Sequence, residues 1–382
     1  MSFLLERHTI FVTLAGSQAH GTARESSDLD FRGVCIAPLG ARLSLFERFE
    51  QYEGPPTPAL AAAVLPHLQT HPTASRKPVG EAECVVYEVA KFVQLCVAAN
   101  PNALEILFAD ERDWLLETPA WRRLHAERHG FLTKKVQQTF LGYGLAQLKR
   151  IKTHRSWLLH PPTRKPMRED FGLPHSGGTL SRDDQDRIEQ SLADKIRGYG
   201  IDDIDMPKPV RIALQDRLDA LHRDALDATD EEIDSRMRAV ASHALHLPAD
   251  VVSSLNAEKK YRAAMKHWES YQTWQEERNE ARAALEREHG YDTKHAMHLI
   301  RLMRMGLEVL ERGDLIVRRP DAAELIAIRE GALSFDELMA AAEDLQQRME
   351  LAARRARLPA DVDRDRIEQL AVALMMGEPR PS

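Results

Sequence analysis

The sequence predicts an α+β protein in which a small mixed β-sheet is followed by a mainly α-helical domain. Three observations carry this reading. Runs of β-branched and aromatic residues at 8–14 (HTIFVTL), 29–36 (LDFRGVCI) and 83–87 (ECVVY) have the composition of strands. Beyond about residue 110 the apolar positions recur at three- and four-residue spacing, the period of a helix packed on one face. Proline and glycine concentrate at 53–80 and 155–182, which marks excursions outside regular elements.

The first strand ends at Ala15-Gly16 and the second at Pro38, with a short Gly- and Ser-containing segment between them. Residues 53–80 carry Pro55, Pro56, Pro58, Pro66, Pro72 and Pro78 and read as an irregular excursion with room for a short helix. After the third strand, Val89, Phe92, Val93 and Cys96 change the spacing to helical until Asn100-Pro101 breaks it. Helices are predicted at 131–151, 208–225, 231–245, 254–289, 293–312 and 335–352. Asn256 to Glu288 reads as one long polar helix, with Trp268, Tyr271 and Trp274 in the core and Gly290 as its stop. The domain division that follows is 1–130 for the sheet core and 131–382 for the helical domain.

The chain has 382 residues, 52 Lys and Arg against 59 Asp and Glu, and a net charge of −7. That balance excludes a protein that binds nucleic acid through bulk charge, since displacing counterions needs a basic surface. Cys35, Cys84 and Cys96 have neither CxxC nor metal-ligand spacing, which predicts a reducing compartment, the cytoplasm, and no zinc site. No apolar run is long enough for a membrane span.

Chemistry concentrates between the first two strands, in Gly16-Ser17-Gln18-Ala19-His20-Gly21-Thr22 and Ser26-Ser27-Asp28-Leu29-Asp30. Alternation along a strand puts Asp28 and Asp30 on one face, where they can share a hard divalent cation, Mg²⁺ or Mn²⁺. Gly16 lets a phosphate approach the backbone, and Ser17 offers a hydroxyl and an amide to it. Two-metal phosphoryl transfer wants a third acid. Glu83, at the start of the third strand, is the candidate, with Glu81 as the alternative of the same parity.

The order strand, Gly-Ser, about ten residues, Asp-x-Asp, strand resembles the nucleotidyltransferases of the DNA polymerase β superfamily. The strings GSQAHGTARESSDLDFRGV, VVYEVAKFVQLCVAANPNALEILF and GYDTKHAMHLIRLMRMGLEVL resemble, more narrowly, the RlaP family of RNA-ligase-associated predicted nucleotidyltransferases. The resemblance covers the first ~110 residues and a block near 255–335, and is weaker in FLGYGLAQLKRIKTHR; residues 175–250 match no known pattern. It implies a polymerase β-like core acting on RNA ends. Family members usually carry Asp where Glu83 stands.

On the helix from Thr293, Lys294, His298 and Arg301 fall at i, i+4 and i+7, a cationic stripe suited to a triphosphate or an RNA backbone. His295 and His298, lacking a third ligand, read as hydrogen-bonded residues. Residues 131–170 hold nine Lys and Arg against two acids, a local charge of +7. With Tyr143, His154 and Trp157 interleaved, this segment, and Lys149, Arg150, Lys152 and Arg155 in particular, is the expected RNA-binding surface. Asn100, Asn102 and Glu105 read as caps and packing residues.

The function expected from all of this is an Mg²⁺-dependent nucleotidyltransferase that moves NMP from an NTP such as ATP to a hydroxyl, an RNA 3′ end in repair or modification. Asp28, Asp30 and Glu83 would be catalytic and hold metal; Gly16, Ser17, Lys294, His298 and Arg301 would bind nucleotide. The alternatives are an inactive nucleotide- or RNA-binding sensor and transfer to a protein hydroxyl.

Overall fold

The computed structural model describes residues 3–24, 27–72, 77–175, 249–278 and 280–377. Ser26 and the helices predicted at 208–225 and 231–245 lie outside the described residues, as does the end of the 155–182 loop. A turn, α1 (Leu5–His8), leads into β1 (Thr9–Leu14), α2 (Gly16–His20), β2 (Asp30–Cys35), a turn α3 (Leu39–Arg42) and β3 (Gln51–Gly54). There follow α4 (Pro58–Thr70), β4 (Glu83–Glu88), α5 (Val89–Val97), α6 (Pro101–Leu107), β5 (Trp114–Glu117), α7 (Pro119–Ala126) and α8 (Lys135–Leu159). The rest is helical: α9 (Ala249–Glu276), α10 (Glu280–His289), α11 (Thr293–Arg312), α12 (Ala322–Arg329), α13 (Phe335–Arg355) and α14 (Arg364–Met376).

The five strands form one mixed sheet in the order β3-β4-β2-β1-β5. Only β2 and β4 run parallel; the other neighbours are antiparallel. Central β1 is buried along its whole length, which explains its unbroken apolar run. On one face Val12, Leu14, Phe31, Cys84 and Val86 meet Leu60, Val64 and Leu68 of α4. On the other, Phe11 stacks on Trp121 of α7 at 3.6 Å between centroids, within the core that α5, α6, α8, α11 and α13 complete. Gly306 lets α11 pass between α8 and α13, for a Cβ there would sit 2.8 Å from both Phe140 and Met349.

Three parts of the fold differ from the sequence reading. The proline-rich excursion holds an edge strand, β3, and a 13-residue helix, α4. Pro58 sits in the first turn, where its missing N–H costs nothing, and Pro66 is carried inside the helix. Strand β5 interrupts the region read as wholly helical. The long polar helix is two helices, α9 and α10.

The chain separates into two compact units, 1–161 with 279–382, and 162–278. The division therefore falls beyond residue 130, because α8, α11 and α13 share the core of the sheet. Within the second unit Arg168 pairs with Glu258 and lies over Tyr261 at 5.4 Å. Tyr271 is buried there, whereas Trp268 and Trp274 beside it are half-buried.

Candidate active site

Asp30 opens β2 and Glu83 opens β4, and the parallel register sets them side by side. Asp28 lies just before β2 with its side chain 87% exposed, and Lys77 Nζ donates to its Oδ1 at 2.8 Å. That bond holds the Asp28 carboxyl below the usual range. Asp30 moves the other way: burial raises it, Arg32 opposes in part, and the carboxylates of Glu83 and Asp28 add to the rise. Arg32, two residues along β2, donates to Glu83 Oε1 at 2.7 Å. Glu81 lies in a 3₁₀ turn ahead of β4, outside the lining of the two clefts described next.

Gly16 starts α2 with φ +57°, and a Cβ there would fall 2.4 Å from Asp30 Oδ2. The Ala15 amide donates to the Asp30 carbonyl at 2.9 Å. The Gly-Ser turn and the acid pair thus form one surface.

Two clefts meet over it. The first, about 430 Å³, has Gly16, Ser17, Asp28 and Asp30 on one side and Arg282, Lys294, His298 and Arg329 on the other, with Thr22 and Arg24 at its edge. The hydroxyl of Thr22 is buried there without a partner among the described residues. Lys294 keeps an exposed surface, yet desolvation and then Arg282 and Arg329 push its ammonium down. The second cleft, about 340 Å³, is lined by Arg32, Gln51, Glu53, Glu83, Tyr87, Asn102, Glu105 and Arg301. Gly16, His20 and His298 line both. Cations outnumber acids in the first cleft, and acids outnumber cations in the second.

The predicted cationic stripe divides between these clefts. Lys294 faces the basic one and His298 lines both. Arg301 is buried, paired with Glu105, and its Nη1 lies 2.7 Å from His20 Nε2. Burial and then Arg301 hold His20 below its usual range, so its neutral ring accepts from the guanidinium. Burial alone would raise Glu105, but the Arg301 guanidinium outweighs it and keeps the carboxylate ionised. The last residue of α2 is therefore fastened to α6 and α11. Glu105 is a buried ionic partner, while Asn100 caps α6 through the amides of Asn102 and Ala103.

Along α8, Lys149, Arg150 and Lys152 are exposed. Arg155 leaves that row: it donates to the Gly290 carbonyl at 2.7 Å and stacks over Phe335 at 4.4 Å. Trp157 is buried against His154, so it offers no open face to a base. His295 has company the sequence did not reveal. His154, Asp292 and His295 place one ligand atom each within 4.8 Å of the others. Asp292, fully buried, caps α11 through the His295 amide and accepts from His154 at 3.0 Å and from Arg282.

Sequence reasoning missed Lys77, Arg282 and Arg329, which belong to no motif, and Arg32, which was present in the quoted string without a role.

A mixed sheet with register-paired acids beside a Gly-Ser turn, followed by a helical region, is consistent with a polymerase β-like core. Residues 5–159 match the RlaP family model, the RNA repair pathway DNA polymerase beta family. No curated protein and no solved structure matches the chain. The match ends with α8, so Lys294, His298 and Arg301 lie beyond it. No helix among the described residues is long and apolar enough to cross a membrane.

Proposed function

We propose that the protein is a cytoplasmic, divalent-metal-dependent nucleotidyltransferase that moves NMP from an NTP to the 3′ hydroxyl of an RNA. The observation that carries this is Asp30, with Asp28 beside it, lining a cleft whose far wall is Arg282, Lys294 and Arg329, and paired in register with Glu83, which lines the adjoining cleft.

The donor set fits Mg²⁺ or Mn²⁺. Asp28, Asp30 and Glu83 supply hard oxygen ligands, and Asp30, raised by burial and then by the Glu83 and Asp28 carboxylates, is a group whose charged form a cation would favour. A bound metal would supply charge neutralisation at the phosphates and an acidified hydroxyl. Arg282, Lys294 and Arg329 orient the triphosphate, while Gly16 keeps the floor of the cleft clear for it. In the transfer the acceptor oxygen bonds to the α-phosphorus, the α–β anhydride bond breaks, and pyrophosphate leaves. The hydroxyl proton passes to a carboxylate of the Asp28, Asp30 and Glu83 cluster.

The acid-rich second cleft suits a neutral ribose and base better than a chain of phosphates, which supports a hydroxyl-bearing RNA terminus as acceptor. The Arg32–Glu83 pair favours one competing reading, a nucleotide-binding sensor in which the guanidinium replaces a metal. Each labelled NTP is incubated with Mg²⁺ and bulk RNA, using Asp28→Ala as control. Label on RNA that disappears in the variant is the expected result. Nucleotide binding without pyrophosphate release would overturn transfer in favour of the sensor.

A further inference from the structure

A third groove, about 650 Å³, lies where the C-terminal ends of α11 and α13 meet, and it touches neither cleft of the candidate site. Its floor is apolar, from Leu310, Leu351 and Leu358, and its walls carry Arg312, Arg348, Arg355 and Arg357. All four arginines are exposed. Arg348 has a loose 3.5 Å contact with Asp344; the other three meet no carboxylate among the described residues, and Glu311 is the single acid in the lining.

Helix dipoles attract cations to C-terminal turns, and this accounts for Arg312 and Arg355. It does not account for Arg348, two turns earlier on α13, or for Arg357, beyond the end of that helix. Arg348, Leu351 and Arg355 fall at i, i+3 and i+7, so α13 turns one continuous guanidinium-edged face to the groove. Three guanidiniums that meet no carboxylate among the described residues, with Arg348 held only loosely by Asp344, form a surface whose complement is a polyanion, with forked donors that match phosphate oxygens.

We propose that this groove grips the phosphodiester backbone of the acceptor RNA upstream of its reacting end. The proposal rests on the transfer reading for its choice of polyanion. Geometry adds a length requirement. Lys294, in the active cleft, and Arg312, in the groove, stand near opposite ends of the 20-residue helix α11, which is about 30 Å long at ~1.5 Å per residue. An RNA must therefore span roughly nine phosphate steps of ~3.4 Å to touch both. Short oligonucleotides reach only the cleft.

The test is fluorescence anisotropy over a salt series, with a labelled ~20-nucleotide hairpin bearing a 3′ overhang and a labelled tetranucleotide. The variant combines Arg312→Ala, Arg348→Ala, Arg355→Ala and Arg357→Ala. Arg357→Glu alone, outside any helix, guards against a folding defect, and thermal melting is recorded for both. The expected result is a loss of about tenfold or more in hairpin affinity for the combined variant, and a salt slope shallower by about 3. Arg357→Glu should lose part of this, while tetranucleotide binding and NMP transfer to the tetranucleotide stay unchanged. Unaltered hairpin affinity and slope would overturn the proposal, as would a wild-type protein that binds no RNA. With labelled polyglutamate as a third probe, loss of its binding in the combined variant with hairpin binding retained would overturn the proposal in favour of an acidic protein partner. If hairpin binding falls as expected but no NTP yields Asp28-dependent label, the transfer reading fails and the groove stands.

Discussion

A Cβ on Gly16 would lie 2.4 Å from Oδ2 of Asp30, so the residue that begins the cradle and the acid that opens β2 share a space only glycine can leave open. The Gly16 backbone also stands at φ +57°, where an L side chain is strained. Gly16→Ala is expected to cost about 1 kcal/mol of stability. By pushing Asp30 off its position it should lower transfer by about 100-fold or more. A melting curve beside an initial-rate measurement checks both, and full activity in a folded variant would remove Gly16 from the site.

Asp30 and Asp28 should respond oppositely to neutralisation. Because Asp30 is desolvated and repelled by Glu83 and Asp28, its charge works against folding in metal-free protein. Asp30→Asn is expected to raise Tm by about 1–3 °C while abolishing transfer. Asp28→Asn weakens its contact with Lys77 and should lower stability slightly, by under about 1 kcal/mol for so exposed a pair. Calorimetry with and without Mg²⁺ tests this; Mg²⁺ should stabilise the wild type alone.

Arg301 is expected to behave as a buried ion rather than as an independent phosphate contact. Arg301→Met strands Glu105 and should cost about 3–5 kcal/mol. The double variant Arg301→Met, Glu105→Gln should recover part of that loss, since the two are coupled. Additive costs in denaturant titrations would contradict the network.

Much of this was legible in the sequence. Asp28, Asp30, Gly16 and Ser17 could be read because their order is fixed by one strand-turn-strand unit; strand parity narrowed the third acid to Glu83 or Glu81, and only the register of β4 against β2 separates the two. Helix α11 was legible to its ends, since its apolar stripe is long and Asp292 and Gly313 cap it. Strands β3 and β5 were not: each has four residues, too few for alternation to register. Arg282 and Arg329 could not be found from spacing, because tertiary packing alone brings them to Asp28 from distant helices. Burial hid the real role of Arg301, which looked like any member of a basic stripe.

Acidification should destabilise the fold through buried histidines. His295 is pushed down to about 4 by burial, only partly opposed by Asp292, and His298 falls well below its ordinary value for the same first reason. Their unfolded forms take up protons near pH 6.5 while the folded forms stay neutral. Stability is therefore full above about pH 6.5 and declines as pH falls toward the folded values. His295 alone should contribute a loss of about 2–3 kcal/mol between pH 6.5 and pH 4. Denaturant midpoints across that window should fall for the wild type and fall less for His295→Gln.

The unit bearing the active cleft is discontinuous, with residues 162–278 threaded between its two segments. During synthesis, α2, β2 and β4 emerge long before Arg282, Lys294 and Arg329, the wall that completes the cleft. At ~5–20 residues per second, the stretch from the end of α8 to the end of α12 takes about 10–30 s to make. Over that interval the nascent chain displays an acid pair and a phosphate cradle with no basic wall opposite. On the proposed reading, such a ribosome-bound intermediate lacks the residues that would orient a triphosphate, and transfer would wait for nearly full-length protein.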